Sequence, residues 1–192
     1  MDLPEDSPKA FNMYLQWLYL RKLVIDNIGL EHPEAICQAT SSEEDQAEEA
    51  KALKVQGEQE QKLLVDAYVL GDKVGDFDFA DAAIDALIDS AESTWFWPAT
   101  HSLAIYQRTS ESSALRRFFT DLYVFVFDAG WNGTEVEELS RDALYDITKR
   151  FLQAKMEREL NGKYMPWKEN PCVYHHHVKT NQPCYKTKLN EK

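Results

Sequence analysis

Long apolar runs are missing from this chain of 192 residues. The longest, Leu122-Tyr123-Val124-Phe125-Val126-Phe127, stops far short of the roughly 18–20 residues needed to span a bilayer. It reads as core. No secretory leader is legible, since Met1-Asp2-Leu3-Pro4-Glu5-Asp6 is acidic where a basic start and an apolar stretch are required. Cysteine is scarce, three in all, which suits reduced thiols in an intracellular protein, cytoplasmic or nuclear, rather than a disulfide framework. There is no P-loop, no G-x-G-x-x-G and no G-x-S-x-G. Positive charge is short too, with 21 Lys and Arg against 33 Asp and Glu. Residues 161–192 hold six Lys and two Glu, a net of +4, so the formal −12 of the whole leaves −16 on residues 1–160. A body that acidic repels phosphate backbones, so nucleic acid is not expected as a partner, and the lack of a spanning run means that no membrane is expected either.

What is present is apolar periodicity. Hydrophobic residues make up 44% and aromatics 12% of the chain, enough for a packed body of one domain or one and a half small ones. Ser7-Pro8 starts a helix, with Ser7 placed to cap and Pro8 at the first helical position, where its missing N–H costs nothing. Phe11, Tyr14, Leu15 and Leu18 follow at i, i+3, i+4 and i+7, which predicts one buried stripe. Residues 41–60 carry seven acids, two lysines and no aromatic. That composition predicts a solvated, disordered acidic insert over 39–52, with helix left open at its C-terminal side. Helical spacing returns with Leu63, Leu64, Ala67, Tyr68 and Leu70. Asp76 or Asp78 then caps a helix carrying Phe79, Ala83, Ala86 and Leu87. Ser112 or Ser113 opens another, with Leu115, Phe118, Phe119, Leu122 and Val126 on one side. Thr134 and Glu137 fit a capping box for a last helix that would run through Leu160 to Asn161-Gly162. The fold class expected is all-α, with an irregular, basic C-terminal tail.

Two stretches carry a family resemblance. Leu3-Pro4-Glu5-Asp6 leads into Phe11, Tyr14-Leu15 and Trp17-Leu18-Tyr19, and Tyr68-Val69-Leu70-Gly71-Asp72-Lys73 comes about fifty residues later. In that order they resemble the second half of a BTB/POZ domain, in the form common in filamentous fungi. The resemblance divides the chain into a partial BTB/POZ-like region over 1–98, a helical extension over 99–162 and a basic Cys/His-containing tail over 163–192. It implies a non-catalytic protein-interaction module, with Phe11, Tyr14, Leu15 and Leu18 short of their usual cover and available to a partner or to weak self-association. The family's swapped strand, its sheet and the loop used by cullin-binding members would all lie before Met1, so cullin binding is not implied.

One constellation could carry chemistry. Cys172-Val173-Tyr174-His175-His176-His177, followed by Cys184, reads C-x2-H-H-H-x6-C. Zinc takes four thiolate or imidazole ligands, so Cys172 with His175 and His177 with Cys184 would make a Cys2His2 set within thirteen residues. A similar Cys-x-Tyr-His-x-His cluster is familiar from the ends of other fungal BTB-like chains. The alternative function is therefore a zinc-binding regulatory protein, with zinc as the one cofactor to consider. Catalytic candidates are thin. Cys37 reads as a buried small hydrophobe, His32 and His101 as isolated loop residues, and Asp85, Asp89 and Glu92 as a solvated helix face. Trp95, Trp97, Trp131, Tyr164, Trp167 and Tyr174 fall in expected loops or the tail, either as partner contacts or folded back over helix ends.

Overall fold

A computed structural model describes residues 7–25, 43–94, 101–126, 137–160 and 164–190, with the backbone alone at 43–54 and 190. The elements found there are all helical: α1 Pro8–Leu20, α2 Glu43–Val74, α3 Phe77–Thr94, α4 His101–Arg108, α5 Ala114–Phe125 and α6 Arg141–Glu157. Short pieces follow: α7 Pro166–Glu169, a 3-10 turn Pro171–Tyr174, α8 His177–Thr180 and α9 Tyr185–Asn190. No strand occurs among the described residues, so the all-α expectation holds.

α1 starts as its sequence dictates, with Pro8 at the first helical position and the Ser7 carbonyl accepting from the Phe11 N–H at 3.0 Å, though the Ser7 hydroxyl makes no cap bond. Its buried face is not the expected stripe. Ala10, Met13 and Trp17 are buried, while Phe11, Leu15 and Leu18 stay exposed and Tyr14 is half-buried. Both stripes have helical spacing and differ by a rotation of about one residue. Trp17 decides between them, because its large ring has the most area to bury. It lies 5.9 Å from Phe79 and 6.0 Å from Tyr185, ring centre to ring centre.

α2 begins at Glu43, inside the stretch expected to be a disordered insert. Glu, Ala, Gln and Lys are strong helix formers, acids suit a helix N-terminus, and the packed C-terminal half supplies a nucleus from which helix propagates. Residues 39–42 lie outside the described set.

α2 and α3 form an antiparallel hairpin. At Gly71 an added Cβ would meet the Cβ and backbone nitrogen of Ala80 at 3.0 Å, so the missing side chain lets the two helices touch. Gly75 turns the chain at φ 76°. Of the two cap candidates the structure uses Asp76, whose Oδ1 accepts from the Phe79 N–H at 3.0 Å. Ser113 likewise caps α5, accepting from the Leu115 N–H at 3.2 Å. The α6 cap is Ser140, accepting from Ala143, rather than a box built on Thr134, which lies outside the described residues. α6 also stops early, at Glu157, where Arg158 turns left-handed at φ 61°.

The tail is not irregular. Trp167, Tyr174 and Tyr185 are buried in the same apolar cluster as Trp17, Tyr68, Phe79, Leu87, Phe118 and Phe119. Side chains from all three sequence segments therefore share one core.

Candidate metal centre

Local turns place the four donors. Asn170 Oδ1 accepts from the Cys172 N–H at 3.1 Å and sets the 3-10 turn, and the His175 N–H closes it on the Cys172 carbonyl at 2.9 Å. His177 opens α8, the left-handed Asn181 at φ 54° reverses the chain, and Cys184 stands just before α9. One donor atom from each of Cys172, His175, His177 and Cys184 then lies within 4.8 Å of every other. A zinc tetrahedron with Zn–S about 2.3 Å and Zn–N about 2.0–2.1 Å has edges of about 3.3–3.8 Å, so closing on an ion needs a contraction of about 1 Å. The sequence-expected set is brought together whole.

The two ring nitrogens of His175 have separate tasks. Nε2 lies 2.9 Å from Asp85 Oδ1, and Nδ1 lies 3.7 Å from Cys184 Sγ. With Asp85 taking the Nε2 proton, Nδ1 keeps its lone pair toward the thiols, as in a carboxylate–histidine–metal relay. His175 is wholly buried. His177 Nε2 is also buried, and has no hydrogen-bond partner among the described residues. Such an orphaned nitrogen is costly unless something else takes its lone pair. Burial pushes the Cys172 thiol up, and the neighbouring Cys184 adds to the shift. A bound cation would offset that shift, because a coordinating thiol gives up its proton to the metal.

Asp85 is the residue that sequence reasoning missed. Its Oδ2 accepts from the Tyr185 hydroxyl at 2.5 Å and pairs with Lys186 Nζ at 2.9 Å. Burial alone would raise its pKa, but the donors from His175, Tyr185 and Lys186 outweigh that and hold it below the usual carboxylate range. Of the face read as solvated, Asp89 is exposed, but Asp85 and Glu92 seat the tail together with their neighbours Asp78 and Asp81. Asp78 takes Lys188 at 2.7 Å, and Asp81 takes both the backbone N–H and Nδ1 of His176 at 2.8 and 2.7 Å. Glu92 takes the Trp167 indole at 3.0 Å. A signal was present in the opposite charges of body and tail, but nothing in the spacing said which acids would be used.

No family model, curated protein or solved structure matches the chain. The site is therefore read from its own chemistry.

His176, the middle histidine, turns away from the donors. It stacks on Phe77 at 4.7 Å and Tyr68 at 5.8 Å and clamps the tail to α2 and α3. Trp167 and Tyr174 cover the body rather than face outward, and Tyr164 is half-buried against Phe125 at 5.5 Å. His101 is the first residue of α4, not a loop residue, and burial lowers its pKa to about 4. Cys37, His32, Trp95, Trp97 and Trp131 lie outside the described residues. No helix of the described residues is long and apolar enough to cross a membrane.

Proposed function

We propose that this protein is a non-catalytic helical module whose C-terminal segment carries a structural zinc ion on Cys172, His175, His177 and Cys184. The observation that carries the reading is the convergence of four soft or borderline donors, one from each residue, within 4.8 Å of one another. Four protein ligands fill a tetrahedron and leave no position for substrate, which is the mark of a structural rather than a catalytic zinc. Asp85 supports the same reading, because outer-shell carboxylates of this kind fix the histidine tautomer. Elemental analysis of protein made without a histidine tag tests it. About one zinc per chain is expected, falling to none in a Cys172→Ser, Cys184→Ser variant. Metal-free wild-type protein that also fails to take up added zinc would end the reading.

A second reading stands beside it, that of an intracellular protein-interaction module resembling the second half of a BTB/POZ domain. It is favoured by the outer side of α1, where Phe11, Leu15, Leu18 and Tyr19 are exposed on one face of a single helix. A contiguous apolar patch of this sort marks an interaction surface, and the proposed occupant is a protein partner or a weakly associating second copy. Light scattering over a concentration series, repeated on Phe11→Glu, Leu18→Glu, tests the second-copy case. A wild type that stays monomeric throughout would remove self-association and leave only a different partner.

A further inference from the structure

The two thiols of the metal site are held in place by something other than the metal. Cys172 is two residues from Tyr174, which is buried and donates to Asp121 Oδ2 at 2.8 Å. Cys184 is next to Tyr185, which is buried and donates to Asp85 Oδ2 at 2.5 Å. Each cysteine is thus pinned through an aromatic anchor whose hydroxyl is tied to a separate helix, α5 in one case and α3 in the other. An ion leaving the site would not release either anchor, so the sulfurs would remain within 4.8 Å of each other. A disulfide needs about 2.05 Å, a closure of under about 3 Å shared between two side chains. Access is also uneven. His175 is wholly buried, whereas Cys172 and Cys184 are both free and partly exposed, so a small oxidant approaches from the sulfur side.

We infer that Cys172 and Cys184 form a peroxide-sensitive pair, in which an intramolecular disulfide and the bound metal are alternative occupants of the same site. This rests on the zinc reading above. One thiolate attacks a peroxide oxygen and breaks the O–O bond, giving a sulfenic acid and hydroxide, which takes a proton to become water. The second thiolate attacks the sulfenic sulfur, forms the S–S bond and expels hydroxide, which takes another proton to give a second water. Two thiolates, one hydrogen peroxide and two protons become one disulfide and two waters. The sulfur pair supplies the two electrons that reduce the peroxide. The disulfide no longer offers thiolate charge, so the zinc leaves as the divalent ion. Apposition of the resolving thiol favours this outcome over further oxidation to sulfinic or sulfonic acid.

The test uses the full chain carrying Cys37→Ser, loaded with one equivalent of zinc and titrated with hydrogen peroxide. Released metal is read with a chromogenic chelator, and the oxidised chain is mapped by peptide mass spectrometry. About one zinc should appear per Cys172–Cys184 cross-link, and a dithiol reductant followed by zinc should restore the loaded form. Circular dichroism should stay helical throughout, because the tyrosine anchors do not depend on the metal. Zinc kept in the face of peroxide, or released with sulfinic or sulfonic acids and no cross-link, overturns the exchange while leaving the metal site standing. Failure to load zinc at the outset overturns the metal reading, and the exchange with it.

Discussion

At the scale of single residues, Asp85 ties the tail to the body. It is buried on α3, accepts from a histidine and a tyrosine, and pairs with a lysine, all from the tail. Asp85→Asn keeps an acceptor for His175 Nε2 but loses the charge, and Asp85→Ala loses both. Zinc affinity, measured by competition with a calibrated chelator, should fall about 10–100-fold in the alanine variant and less in the asparagine one. Equal affinity in all three proteins would mean that Asp85 serves only to seat the tail. His101 gives a second residue-level expectation. Its folded pKa of about 4 lies below the unfolded value near 6.5, so folding favours the neutral ring. The stability this gives is complete above pH 6.5 and is lost as pH falls toward 4. The loss is on the order of 3 kcal/mol, and urea melts over that range should show it shrinking in His101→Gln.

At the scale of elements, α1 shows what periodicity can and cannot settle. Two stripes a residue apart both satisfy helical spacing, and only the ring that meets Phe79 and Tyr185 decides between them. Trp17→Ala should therefore cost about 3–5 kcal/mol in chemical denaturation, while Leu18→Ala should stay within about 1 kcal/mol, because its side chain is already exposed. The converse ranking would restore the stripe expected from sequence. The caps of α3 and α5 were legible to within a choice of two, since Asp and Ser at helix entries have a local mechanism, whereas Ser7 makes no cap bond and the α6 cap fell on Ser140 instead. The long acidic start of α2 was misread because composition alone counted its charges and not its helix propensity. The donor set of the tail was legible as a pattern. Its support was not, because Asp81, Asp85 and Asp121 hydrogen-bond to tail groups 53–100 residues away.

For the whole molecule, metal and fold should be linked. A ligand that binds the folded chain alone stabilises it by RT ln(1 + [L]/Kd), about 4 kcal/mol at a thousandfold excess over Kd. For a chain of this size each kcal/mol moves the melting midpoint by about 2–4 °C. Chelation should therefore lower Tm by roughly 10 °C while leaving the far-ultraviolet spectrum helical at 25 °C, because Trp167, Tyr174 and Tyr185 hold the tail by burial. Collapse of the helical signal on chelation would show that the ion, not the aromatic anchors, holds the tail.

That burial also sets an order of events during synthesis. Domains tend to fold from the N-terminus as they leave the ribosome, yet here Trp17 and Phe118 wait for rings at 185 and 167. Until residues 164–190 have been made and released, α3 stands with Asp81 and Asp85 lacking their tail donors, Asp121 on α5 has Arg150 but not Tyr174, and one wall of the core is open. A nascent chain stalled short of Tyr185 should therefore be recognised by chaperones and proteases as unfinished, however many of its helices have already formed.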